Sequence, residues 1–94
     1  MDQFTVITVL DGDTFDVTPN WQWNGSTGNR VRPAGYDAPE LHEPGGQASK
    51  QKLERLILRK VVSLGAAHKI GRGRLVCEVY LNGKNLKDYF REYQ

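Results

Sequence analysis

The order of alternating and helical runs predicts a mainly β domain with helices, closed as a five-stranded OB-fold barrel. One helix lies between strands 3 and 4, and a short helix ends the chain. Three observations carry this. Period-two runs of β-branched and aromatic residues are punctuated by turn signals at Asp11-Gly12, Asn24-Gly25 and Asn82-Gly83. A single run with clear helical spacing separates the first three strands from the last two. Ninety-four residues allow one domain, residues 1–94, with one small core.

The first strand is expected over 3–10, where QFTVITVL suits a pleated, partly buried surface. After Asp11-Gly12, residues 13–18 alternate, with Asp13, Phe15 and Val17 on one face and Thr14, Asp16 and Thr18 on the other. Asp13 therefore begins an apolar face, where a buried charge needs a partner. Residues 19–29 read as a loop around Asn24-Gly25. Trp21 and Trp23 in that loop either stack on nucleic-acid bases or, the favoured reading, pack over the barrel end. A third strand is expected over 30–36, with Pro33 implying an edge, a bulge or an early end. Loop follows through Gly45-Gly46. A helix is then predicted over 47–59, with Ala48, Leu53, Leu56 and Ile57 as its apolar stripe. Strand 4 is expected over 61–64, a glycine-bounded loop over 65–73, and strand 5 over 74–81. Leu75, Cys77, Val79 and Leu81 share one face of that last strand, so Cys77 reads as a core residue. Residues 85–93 read as a short helix with Leu86 and Phe90 inside.

The charge balance is mild: 13 basic against 11 acidic residues, a net charge of +2. Four of the acids fall into two short motifs, Asp11-Gly12-Asp13 and Asp37-Ala38-Pro39-Glu40. Setting these aside leaves 13 basic residues against seven acidic ones. That distribution fits either an acidic pit in a basic surface or an ordinary solvated mixture of charges. The lone cysteine, Cys77, excludes an intrachain disulfide and a zinc-type ligand spacing. No apolar run reaches membrane-spanning length, and no secretory leader is legible after Met1-Asp2-Gln3. The compartment is left open, and no membrane partner is expected.

The motifs Asp11-Gly12-Asp13-Thr14, Arg30-Val31-Arg32, Gly35-Tyr36-Asp37-Ala38-Pro39-Glu40, Gly46-Gln47-Ala48, Gly73-Arg74-Leu75 and Tyr80 occur in a familiar order and spacing. Together they resemble the staphylococcal nuclease family of thermonuclease-like domains, over residues 4–90. The resemblance implies a Ca²⁺-dependent phosphodiesterase acting on single-stranded DNA or RNA. In it Asp13, Asp37 and the backbone carbonyl of Ala38 match the metal ligands, and Asp11 an outer-shell acid. Oxygen donors of this kind also suit Ca²⁺ on chemical grounds. Glu40 matches the residue that orients or deprotonates the attacking water, and Arg32 and Arg74 match the arginines that hold the scissile phosphate. Spacing to Asp37 selects Arg32 over Arg30, which reads as a surface residue. Counting back from Tyr80 selects Arg74 over Arg72.

The sequence also departs from the family pattern. Cutting members continue past the second helix with tyrosine-bearing segments, and Tyr89 and Tyr93 do not match those tyrosines. Pro33 stands beside Arg32 in place of an apolar residue, and His68, Lys69 and Ile70 replace an acid and a tyrosine. His42 and His68 read as surface residues. Weak cleavage is the expectation, by a monomer or by a homodimer formed through an exposed apolar patch. The alternative function is a non-catalytic OB-fold module binding nucleic acid or protein.

Overall fold

The computed structural model describes residues 2–94. Strand β1 (Asp2–Asp11) is the centre of the sheet and pairs antiparallel with both β2 (Thr14–Trp23) and β4 (Val61–Gly71). Beyond β2 lies β3 (Ser26–Pro33), and beyond β4 lies β5 (Arg74–Leu81). A parallel ladder between β3 and β5, Val31 to Leu75 through Pro33 to Cys77, joins the two ends. The sheet is thereby closed into the expected five-stranded barrel, with a two-residue β6 (Lys84–Asn85) appended to β5. Closure removes the open edge that a sheet this small would otherwise present.

The one helix, α1 (Gly46–Ile57), follows β3 and packs against β1. Its buried residues are Gly46, Ser49, Leu53 and Ile57, so the inward stripe is set one position later than Ala48, which is exposed. Leu53 and Ile57 reach a core built from Val6, Phe15, Val17, Val31, Val62, Cys77 and Val79. Burial pushes the Cys77 thiol up to about 12, consistent with a packing role for this side chain. No helix is long and apolar enough to cross a membrane among the described residues.

Four expectations from sequence need correcting. Residues 19–29 are not a loop: β2 and β3 continue as a long hairpin that turns at Asn24-Gly25, with Trp21 opposite Gly28 and Trp23 opposite Ser26. A two-residue turn with φ > 0 at both positions suits the twist of the strands, so pairing carries on to the tip. Residues 65–71 also belong to a strand. β4 runs on to Gly71, and irregularities between Leu64, Ala67 and Lys69 scramble its alternation. Strand 3 ends at Pro33, an early end of the kind proline permits. Finally, residues 86–93 form two turns of 3-10 helix, Leu86–Tyr89 and Arg91–Tyr93, and not a regular α-helix. Leu86 and Phe90 are fully buried from these turns, as the sequence predicts.

Candidate active site

Two loops bring the acidic motifs to one end of the barrel. The first is the tight β1–β2 turn at Gly12-Asp13, the second the 34–45 connection between β3 and α1. Gly12 is needed for close approach: a Cβ there would lie 2.6 Å from Ser49 Cβ and 2.7 Å from Ala38 Cβ. Gly46 does the same for the second loop, since a Cβ would meet the Glu40 carbonyl group and lie 2.8 Å from Leu41 Cα. The backbone of the acidic turn is thus packed against the Ala38 and Ser49 side chains, and the start of α1 against the backbone of Glu40 and Leu41.

Between them lies an open cleft of about 280 Å³ lined by Asp11, Asp13, Arg32, Asp37, Ala38, Glu40, Arg72 and Arg74. Every residue assigned to catalysis or metal binding from sequence lines this space. Asp13 is buried, and its Oδ2 accepts hydrogen bonds from the Ala38 N–H (3.2 Å) and from Arg32 Nη2 (3.3 Å). The same Nη2 donates to Asp37 Oδ1 at 2.9 Å. Two carboxylates from separate loops therefore converge on one positively charged atom. Asp37 is otherwise open, with 84% of its side chain exposed. Glu40 is 65% exposed and lies 3.6 Å from His42 Nε2. Its backbone N–H is held by Glu43 Oε1 at 2.7 Å.

Burial holds the Asp13 carboxyl at about 6, above its ordinary 3.8, with the hydrogen bond and charge of Asp11 adding to the rise. Arg32 and the Ala38 N–H oppose that rise but do not cancel it. Asp11 also accepts the Asp13 N–H through Oδ1 at 3.0 Å, which fixes the turn. A carboxyl raised in this way gains from any added positive charge.

Arg74 stands across the cleft at the start of β5. Its Nη1 donates to Thr14 Oγ1 at 3.1 Å, while its Nε is buried with no acceptor among the described residues. An unpartnered buried donor typically costs about 1–3 kcal/mol. Arg72, set aside from sequence, shares the cleft from the tip of the β4–β5 hairpin, where it takes a left-handed φ of 56°. Strand parity could not have found it, because Arg72 lies in the two-residue turn Arg72-Gly73 and not on a strand. Arg30 points elsewhere and pairs with Asp16 at 2.9 Å.

The two tryptophans are remote from this lining. Trp21 is 3% exposed, and its Nε1 donates to the Arg30 carbonyl at 2.9 Å, so its ring offers no face to a base. Packing is its role. Trp23 is half-buried against the core at the far end of the hairpin. His68 pairs with Glu78 at 2.8 Å on the outside of the barrel. That hydrogen bond is the main reason the Glu78 carboxyl lies below its ordinary range.

No cluster of three histidine, cysteine or acidic side chains gathers as a preformed cage among the described residues. What fits a hard cation is the donor chemistry. Two carboxylates already converge on a single positive atom, Arg32 Nη2, and Ala38 belongs to the same lining.

No family model matches the chain. A protein named micrococcal nuclease, from Shigella flexneri, is 37% identical to it over 75 residues. That match covers 80% of this chain, which spans only 40% of the length of the relative.

Proposed function

We propose that this chain, which belongs with the staphylococcal-nuclease-like domains on its sequence match and closed barrel, is a Ca²⁺-dependent phosphodiesterase. Its substrate is single-stranded DNA or RNA. The observation that carries the reading is Arg74. Arg74, whose buried Nε has no acceptor among the described residues, lines a cleft that also holds Arg32 and Arg72, and guanidinium groups gathered in this way are the complement of phosphate oxygens.

Asp13, Asp37 and the Ala38 carbonyl would hold the calcium ion, with Asp11 behind them. When bound, the ion supplies Lewis-acid neutralisation of the phosphate and of an attacking water. The remaining work falls to the chain's own side chains. Arg74, held by the hydrogen bond from its Nη1 to Thr14 Oγ1, offers its guanidinium to a phosphate oxygen from the cleft lining. Only Nη2 of Arg32 is committed to protein acceptors among the described residues, which leaves its other two nitrogens for a second oxygen. Forked donors on both sides stabilise charge growing on the equatorial oxygens during in-line displacement. Glu40, exposed at the rim, orients a water and accepts its proton. The proton goes from the water to the Glu40 carboxylate as the bond to the 5′ oxygen breaks, and the departing 5′ alkoxide takes a proton from solvent water. Recognition centred on the backbone explains how one cleft serves both DNA and RNA.

A second reading, a non-catalytic nucleic-acid-binding module, has one observation in its favour. Arg32 already pairs with both Asp13 and Asp37, so part of the charge of the acidic pair is offset without a metal ion. One experiment separates the two: incubation of labelled single-stranded DNA with the protein in millimolar Ca²⁺ or in chelator, with melting temperature followed in parallel. The nuclease reading expects cleavage and a raised melting temperature in Ca²⁺ alone. Intact DNA bound equally well under both conditions overturns it and establishes the binding module.

A further inference from the structure

Tyr36 immediately precedes Asp37 and has no part in the chemistry above. Its ring is 4% exposed and lies flat on Phe90, with centroids 4.5 Å apart and planes within 4°. Its hydroxyl donates to the Gly12 carbonyl at 2.9 Å. That carbonyl belongs to the peptide joining Gly12 to Asp13, so the hydroxyl links the Asp37 loop to the backbone that carries the buried carboxyl.

The closing turns grip the same region. The Asp37 N–H donates to the Tyr93 carbonyl at 3.0 Å, and the Phe90 ring lies 6.1 Å from that of Tyr93. Lys52, on α1, sets its ammonium 4.5 Å from the centre of the Phe90 ring. It also pairs with Glu92 at 2.8 Å and donates to the Tyr89 carbonyl. The segment is therefore anchored on the helix, and through Tyr36 and Tyr93 it reaches both acidic loops.

We propose that Tyr36 is a positioning residue for the metal site: its hydroxyl and its stack on Phe90 set the separation of Asp13 and Asp37, with the Arg91–Tyr93 turn as the brace. The inference rests on the nuclease reading. An exposed carboxylate such as Asp37 has little packing of its own, so its backbone must fix where its oxygens lie. A residue that only filled the core would need the ring and not a hydroxyl aimed at the acidic turn. Groups that orient metal ligands in this indirect way typically contribute tenfold or more to affinity.

The test is Tyr36→Phe in the full chain, which keeps the ring and removes one hydrogen bond. Calcium chloride is titrated by calorimetry, amide hydrogen exchange is followed in chelator, and single-stranded DNA cleavage is measured at saturating Ca²⁺. The expected result is a loss of Ca²⁺ affinity of about tenfold. Exchange at the Asp13 and Asp37 amides becomes faster, and kcat falls while KM for DNA stays constant. Wild-type affinity and wild-type kcat in a Tyr36→Phe protein that is merely less stable overturn the inference. If that variant does not fold, Phe90→Leu keeps the hydroxyl and removes the stack. Weakened Ca²⁺ binding then supports the proposal, and unchanged binding refutes it. A wild-type protein that binds no calcium removes the nuclease reading, and this inference with it. One that binds calcium equally with or without the hydroxyl removes this inference alone.

Discussion

Replacing Asp13 by asparagine is expected to stabilise the calcium-free protein near neutral pH while destroying its response to calcium. The folded state raises the Asp13 carboxyl from 3.8 to about 6, so it binds the proton more tightly than the unfolded chain does. A carboxyl shifted upward contributes stability when protonated and loses it as pH rises through that window. A shift of roughly two units corresponds to about 3 kcal/mol, all of it lost by pH 7. The amide introduced by Asp13→Asn retains an oxygen to accept from the Ala38 N–H and Arg32. Its NH₂ can donate permanently to Asp11, where the acid does so only when protonated. The gain expected for Asp13→Asn is thus about 2–3 kcal/mol at pH 7 and near zero at pH 3.5. Urea denaturation at pH 3.5, 5 and 7 in chelator measures it directly. Added Ca²⁺ should reverse the order, stabilising wild type and leaving the variant unmoved. A variant less stable than wild type at pH 7 in chelator, or a difference that does not change with pH, refutes the reasoning.

Other perturbations have simpler expected outcomes. Asp37→Asn should abolish Ca²⁺-dependent cleavage, with a fall of at least about 100-fold. It should shift melting in chelator by only a few degrees, since that side chain is exposed. Arg72→Ala should raise KM severalfold with kcat unchanged, and the slope of log affinity against log salt should fall by about one, the signature of a lost phosphate contact. A slope equal to wild type would exclude Arg72 from the substrate path. Gly12→Ala should destabilise by about 1–3 kcal/mol, because the added methyl meets Ser49 and Ala38 at the base of the acidic turn. Chemical denaturation of the variant checks this, and unchanged stability would mean that the contact yields freely.

How much of this was readable in the residues depended on range. Strand β5 and the core stripe of Leu53 and Ile57 follow from local periodicity, and the structure reproduces them. The upper hairpin does not look like strand, because Pro19-Asn20 and Ser26-Thr27-Gly28-Asn29 are turn-forming residues in composition. Ser26, Thr27 and Gly28 are held extended by pairing with Trp23, Gln22 and Trp21, with Gly28 leaving room for the Trp21 ring, while Pro19-Asn20 and Asn29 fall in the register irregularity between Asp16 and Trp21. The far half of β4 was hidden by its irregular register, and Gly65 there makes space for Tyr80. Asp13, Arg32, Asp37, Glu40 and Arg74 were legible as motifs, and one cleft gathers them. Neither the shared Nη2 of Arg32 nor the stack of Tyr36 on Phe90 has any local signature. Each depends on contacts between segments far apart in the chain.

The parallel seam between β3 and β5 governs when the candidate site is assembled. Val31 and Leu75 are partners although the whole of α1 and β4 lies between them in the chain. The hairpins β1–β2, β2–β3 and β4–β5 close much shorter loops, so their pairing costs less chain entropy and should come earlier. Arg32 and Arg74 lie on the two strands that this seam joins, Arg32 within the ladder and Arg74 directly before it. The cleft shared by Arg32 and Arg74 is therefore not assembled in any intermediate with an open barrel. If the chain cuts nucleic acid as proposed, the recovery of activity during refolding would report the closing of this long-range seam and not the formation of the local hairpins.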